Sequence, residues 1–300
     1  MGLVDGKVAI VTGAGRGVGR AEAMILAEEG AKVVVNDLGG GGDGVGADAM
    51  VADDVVKEIQ DAGGEAVANY SDISDLEGVD NMIWTALSKF GRLDIMMNNA
   101  GILRDKTTLN MTETDWDLIM KVHGKGTFLG TRAAARIMRA QGTGGAILNT
   151  TSISGLAGNF GQGNYGFAKA GIYSFTKIAA MEFARYGIRV NCVGPSGFTR
   201  LVGTIPGIEG DPELSSVVPT ARLAVYLCSD SAKDLNGRVM SSHGGKLGNK
   251  IIEFKMTVSD GWQKDGGIAT FDELKEHMDE ILIKEPDLTM RSGAFIPPED

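Results

Sequence analysis

A chain of 300 residues, 43% of them hydrophobic and 23% charged, is long enough to bury a core without disulfide or metal staples. Its net charge of −10 and lack of any Lys/Arg run argue against nucleic-acid and anionic-membrane partners, whose phosphates call for basic faces. No apolar run approaches the ~18 residues of a membrane span, and the opening MGLVDGKVAIVTG does not read as a signal peptide.

In chain order, KVAIVT (7–12) reads as a strand, GAGRGVG (13–19) as a glycine turn and RAEAMILAEEG (20–30) as a helix stopped by Gly30. AKVVVND (31–37) is a second, β-branched strand. The glycine-rich patch from Gly39 to Gly46 reads as a mobile surface loop, with a ligand-specific role as the alternative. VADDVVKEIQDAGG is a helix, EAVANYSDIS a strand with its exit loop, DNMIWTALSKFG a helix and LDIMMNNAG a strand. One long helical region covers roughly 113–140. The strand AILNTTS, the helix YGFAKAGIYSFTKIAAMEFARYG and the strands IRVNCVGP and GRVMSSHGG follow. Strands that are apolar throughout, alternating with helices, predict an α/β fold: a doubly wound parallel sheet of the Rossmann type, covered on both faces.

With no linker rich in Pro, Ser or charge, residues 1–245 read as one dinucleotide-binding catalytic domain. Residues 246–300 read as a C-terminal strand–helix extension. There IIEFKMTV predicts a strand, and FDELKEHMDEILIK a helix opened by a Thr270/Glu273 capping box. Its apolar stripe (Phe271, Leu274, Met278, Ile281, Leu282) suits packing on the same domain, a subunit interface or a lid. Cys192 and Cys228 lack CxxC spacing and read as reduced thiols of a cytoplasmic protein. His123, His243 and His277 lack metal-ligand spacing, so no metal is expected.

The first functional signal is the spacing T-G-x-x-x-G-x-G from Thr12, with Gly13, Gly17 and Gly19, between a strand and a helix. Glycines there admit a pyrophosphate close to the backbone, and the helix N-terminus offers it free N–H donors near Arg16 and Val18. Asp37, about 20 residues further on, is placed to accept bonds from the adenosine ribose hydroxyls and to repel a 2′-phosphate. Arg16 is the opposing signal, but no basic residue follows Asp37, so NAD is expected over NADP. Asp72 and Ile73 would contact adenine. Asn99, Ala100 and Gly101 would lie along the cofactor, at C-terminal strand ends where open α/β sheets bind ligands.

The second signal is Tyr165 and Lys169, four apart on one helix face, with Ser152 ending a strand at the same sheet edge. A nearby ammonium favours the phenolate, so Lys169 is expected to lower the tyrosine pKa and let Tyr165 exchange a proton with an alcohol. Ser152 would hydrogen-bond the substrate oxygen. Ser152 lacks the G-x-S-x-G elbow and the histidine of a hydrolase. A non-catalytic NAD(H) sensor would need none of the three residues.

Thr12 to Gly19, Asn98 to Gly101, Ser152, and Tyr165 with Lys169 resemble the short-chain dehydrogenase/reductase family over roughly residues 5–245. VVVNDLGG, AVANY, NNAGILRD, VHGKGTF and GNFGQGNY further resemble the (3R)-hydroxyacyl-CoA dehydrogenase part of peroxisomal multifunctional enzymes. The resemblance implies an NAD-dependent oxidoreductase on a secondary alcohol, with an acyl-CoA or steroid-like small-molecule substrate, in a homodimer or homotetramer. It implies that Pro195 and Thr199 cradle the nicotinamide carboxamide. One departure concerns the family's catalytic asparagine, here His123 in Val122-His123-Gly124-Lys125-Gly126; a structural and a proton-relay role for it stay equally open. The chain ends IPPED rather than SKL, which fits the cytoplasmic reading.

Overall fold

The computed structural model describes residues 2–46, 48–195, 217–243, 250–255, 262–263 and 270–282. Its strands are β1 (Val8–Thr12), β2 (Lys32–Asn36), β3 (Glu65–Asn69), β4 (Ile95–Asn98), β5 (Gly145–Thr150), β6 (Ile188–Val193), β7 (Val239–His243) and β8 (Lys250–Glu253). They form one sheet in the order β3-β2-β1-β4-β5-β6-β7-β8, parallel except for the antiparallel β7–β8 pair.

Alternate strand residues point to opposite faces, and both faces are apolar. Ala9, Val11, Val33, Val35, Ile95 and Met97 join a core beneath α1 (Gly17–Glu28), α2 (Met50–Asp61) and α8 (Val218–Cys228). Ile10, Val34, Met96 and Ile147, one register step away, join a second core beneath α3 (Leu76–Phe90), α5 (Gly126–Gln141) and α7 (Gly163–Phe183). The chain proceeds outward from β1 to β2 and β3, then crosses back to β4 on the other side. That reversal opens a crevice at the C-terminal ends of β1 and β4, the position where such sheets bind ligands.

Local signals explain the helix ends. The Asp75 side chain accepts from Gly78 N at 2.7 Å to start α3, and Gly91, at φ 80°, ends it. A Thr112/Asp115 capping box starts α4 (Glu113–Ile119).

Two expectations need correction. The single helix expected over 113–140 is interrupted: Met120–Lys125 forms a π-helical turn between α4 and α5. In the tail, the Thr270/Glu273 capping box forms, but the helix divides at His277 into α9 (Phe271–Glu276) and α10 (Met278–Ile281). Phe271 is 92% exposed and Leu282 56%, so the apolar stripe is uncovered in the chain as described. The rest of the proposed extension lies largely outside the described residues. No helix among the described residues is long and apolar enough to cross a membrane.

Candidate active site

A cavity of about 540 Å³ runs along the C-terminal strand ends. Gly13, Arg16, Gly17, Val18, Asp37, Asp72, Ile73, Asn99, Ala100, Gly101, His123, Ser152, Tyr165, Lys169 and Pro195, all singled out from the sequence, line it together. Gly19 does not. It sits behind the turn, where a Cβ would run into the Gly13 carbonyl and the Asn99 amide, so its role is close packing rather than contact. Thr199 lies outside the described residues.

At one end, the glycine turn is tied to the segment after β4. Thr12 Oγ1 accepts from Asn99 N and Ala100 N at 3.0 and 3.1 Å, and Asn99 Nδ2 donates to Thr12 O at 3.0 Å. Gly13 has φ +63°, and a Cβ there would lie 2.7 Å from Ala100 Cα, so only glycine lets the two loops meet. α1 opens with Arg16 in extended conformation and no side-chain cap, leaving first-turn N–H groups to face the cavity as an anion cradle. Asp37 is fixed at the cavity wall: Oδ2 accepts from Gly15 N at 2.8 Å and Oδ1 from Gly39 N at 2.7 Å. Asp72 Oδ1 accepts from Ser74 N at 2.8 Å, with Lys121 Nζ 3.8 Å from its other oxygen. An uncapped helix N-terminus, the Asp37 carboxylate and the polar segment around Asp72 line one cavity, a set of groups that fits a dinucleotide.

The glycine-rich loop after β2 lies against the cavity rather than free at the surface. Gly40, Gly41 and Gly44 help to wall the cavity. Leu103 N donates to Gly42 O at 2.9 Å, and Arg104 Nε donates to Asp43 O at 2.8 Å. Glycines lack side chains to fill the gap, so the backbone itself can fold over the cleft. Composition flags the freedom of such a loop but not its docking partner.

At the other end stand the titratable groups. Ser152 Oγ accepts from Ser154 N at 3.2 Å and shares a hydrogen bond with the Tyr165 phenol. Lys169 is buried, 3% exposed, and its Nζ donates to Thr150 O at 2.6 Å, lying 5.5 Å from the Tyr165 ring centre. The expected lowering of the phenol pKa is not found in the ligand-free chain. Burial pushes Tyr165 up to about 12; the Ser152 bond opposes this, and the Asp105 charge adds to it. Burial likewise brings the Lys169 ammonium down to about 8. The amine donates to a backbone carbonyl, and burial of the phenol outweighs the acidifying Ser152 bond, so proximity to Lys169 alone does not bring the tyrosine down.

His123 lies inside the π-helical turn, 1% exposed, with its ring edge-on to Tyr165 at 5.2 Å. Its Nε2 meets Ile102 N at 3.1 Å and Ile102 O at 2.8 Å, and Gly101 is packed against the ring. Burial, then the Lys169 charge, pull its pKa down to about 3. A ring that stays neutral at physiological pH suits a wall residue that seats the 101–102 backbone better than a charged relay. Sequence reasoning missed Lys121, Asn159 and Gln162 as wall residues. The last two lie in the quoted run GNFGQGNY, but nothing in its spacing says which side chains turn inward.

Residues 7–203 match the family model described as short chain dehydrogenase. The chain is 46% identical over 245 residues to peroxisomal multifunctional enzyme type 2 of Drosophila melanogaster, an alignment covering 80% of this chain and 39% of that one. The chain thus spans well under half the length of that relative. A hydroxyacyl-CoA dehydrogenase of Mycobacterium tuberculosis is 41% identical over 260 residues, covering 81% of this chain and 79% of the relative. A crystal structure of a short chain dehydrogenase from Mycobacterium avium superposes with a TM-score of 0.81 at 41% identity, covering 93% of this chain and 96% of that one.

Proposed function

The chain belongs to the short-chain dehydrogenase family, an oxidoreductase acting on CH–OH groups, and from that premise we propose that it is an NAD-dependent dehydrogenase of 3-hydroxyacyl-CoA thioesters. The observation that carries the reading is the convergence of Ser152, Tyr165 and Lys169 on a cavity also walled by Asp37 and the glycine turn. Ile102, Leu103, Leu118 and Ile153 add an apolar wall suited to an acyl chain. The name of the mycobacterial relative supports the same substrate class.

NAD over NADP follows from charge. The Asp37 carboxylate faces the cavity and would meet a 2′-phosphate with like charge. The Arg16 guanidinium, a cation at the same end of the cavity, donates to Gly40 O at 3.4 Å.

In oxidation, the Tyr165 phenol first gives up its proton to water; the substrate hydroxyl, held by Ser152 and Tyr165, then passes its own proton to the phenolate oxygen. In reduction, the same phenol returns the proton to the carbonyl oxygen. When bound, the nicotinamide ring supplies the hydride acceptor for the carbinol C–H and, oxidised, a positive charge beside the phenol. With the phenol held at about 12, the free protein keeps that proton at neutral pH, and the phenolate needs added positive charge nearby. Lys169 contributes a buried ammonium on the same helix face, held by the Thr150 carbonyl. We further assign a homodimer or homotetramer in the cytoplasm; the free, buried Cys192 and Cys228 support a reducing compartment.

The test follows NADH absorbance of the purified protein with NAD and NADP against panels of 3-hydroxyacyl-CoA and hydroxysteroid substrates. NAD with the thioester is the expected pair. Tyr165→Phe is expected to bind NADH yet lose turnover by about 10²- to 10⁴-fold. Full activity in that variant overturns the assignment.

A further inference from the structure

The reacting end of the cavity holds a polar side chain that proton and hydride transfer leave unused. Gln162 is only 4% exposed, yet it forms part of the cavity wall. It is the residue before α7, three positions ahead of Tyr165, a spacing that puts both on one side of the helix start.

Its carboxamide is held at both ends. Nε2 donates to Asp105 Oδ2 at 2.7 Å, and Oε1 accepts from Asn159 Nδ2 at 3.1 Å. An anionic acceptor on one side and an amide donor on the other fix which end of the group is nitrogen. The backbone beneath is stapled too. Lys106 N donates to Gly161 O at 2.8 Å, and Asn164 Nδ2 donates to Arg104 O at 3.1 Å, joining the 104–106 segment to the start of α7.

An amide nitrogen has two N–H bonds, and Asp105 takes one. The second finds no partner among the described residues. A donor on the cavity wall that a bound ligand shuts off from water needs an acceptor, so a ligand oxygen that answers it is favoured over a ligand that brings none. Ser152 and Tyr165 already serve the reacting oxygen. A 3-hydroxyacyl thioester brings a second acceptor, its thioester carbonyl, two carbons away from the reacting one. A simple secondary alcohol brings none.

We propose that Gln162, oriented by Asp105 and Asn159, is the specificity-determining residue that recognises the thioester carbonyl of the substrate. This rests on the dehydrogenase function proposed above and names the group that selects its substrate.

The experiment is steady-state kinetics of the wild type, Gln162→Leu and Asn159→Ala at saturating NAD. The substrates are a short 3-hydroxyacyl-CoA and a secondary alcohol of matched chain length without the carbonyl, followed as a competitive inhibitor where turnover is slow. Leucine preserves volume without the donor, and Asn159 is exposed, so its variant leaves the core intact. Gln162→Leu is expected to lower kcat/KM for the thioester by about 10- to 100-fold, mainly through KM, while the plain alcohol stays within about twofold. Asn159→Ala is expected to show a smaller loss of the same kind. Equal losses on both compounds would assign Gln162 a wall-building role, and unchanged thioester kinetics would leave its N–H without use; either result overturns the inference while the proposed function stands. A wild type that ignores the thioester but oxidises other alcohols with NAD overturns the substrate reading and this inference together.

Discussion

Replacing Glu22 with glutamine is expected to change how stability depends on pH. Glu22 lies on α1 where that helix packs against α8; it is 0% exposed, and neither carboxylate oxygen has a partner among the described residues. The Cys228 thiol, across the seam, is near enough for the Glu22 charge to push it further up. Burial alone raises Glu22 from 4.5 to about 8. The sign follows from proton counting. Below pH 4.5 the group is neutral in both folded and unfolded chains and carries no penalty. Between 4.5 and 8 the unfolded chain gives up the proton while the native state keeps it, so stability falls as pH rises and levels off above 8. The slope is about 1.4 kcal/mol per pH unit, which places the penalty near 3 kcal/mol at neutral pH. Glutamine adds its own buried-amide cost, but that cost does not vary with pH. Urea unfolding of both proteins from about pH 5 to about pH 8 isolates the effect, because every other group cancels in the difference. The advantage of Glu22→Gln is expected to grow steadily with pH across this range. A difference that stays flat would refute the argument, and would mean that the carboxylate remains ionised through contacts or water the seam admits.

Three further outcomes follow from the site. Asp37→Ala is expected to lower kcat/KM for NAD by about tenfold or more and to raise that for NADP, read from coenzyme titrations; an unchanged preference would refute the charge argument. The variant should also lose some stability, since Asp37 holds the N–H groups of Gly15 and Gly39. With His123 held near 3, no activity step between about pH 6 and 7 should vanish in His123→Asn, and a step that does vanish would restore the relay role. The same phenol that sits at about 12 should give no tyrosinate absorbance below about pH 10 in the ligand-free protein, as judged by wild-type minus Tyr165→Phe difference spectra.

Much of the fold was legible in the sequence because its strands bury both faces. A run such as Lys32–Asn36 has no polar alternation to confuse with an edge strand, and the glycines after β1 sit where only a close backbone approach explains them. The site was legible at the same level: motifs name residues at strand ends, and the topology brings strand ends together. What the sequence withheld depends on orientation within a helix. Periodicity runs unbroken from α4 to α5, yet the π-helical turn changes which residues face inward, seating His123 behind Tyr165 and turning Lys121 and Val122 to the cavity. One-dimensional spacing cannot report such a phase change.

The largest surprise concerns the amine–phenol pair, and it has the same origin. Spacing four apart places Lys169 and Tyr165 on one face, which is what the sequence implies and what the structure has. But pKa depends on where the ammonium points and how dry it is, and both are set by residues far away in sequence. Thr150 O takes the Lys169 N–H, and Asp105, 60 positions before Tyr165, adds negative charge to the phenol's surroundings. The pair in the free protein therefore stores a proton rather than releasing it. Positive charge arriving in the cavity, not the lysine alone, would be the event that converts the tyrosine into a base. On this argument the proton affinity of Tyr165 couples cofactor charge to chemistry, with oxidised coenzyme favouring the phenolate that oxidation needs and reduced coenzyme leaving the phenol that reduction needs.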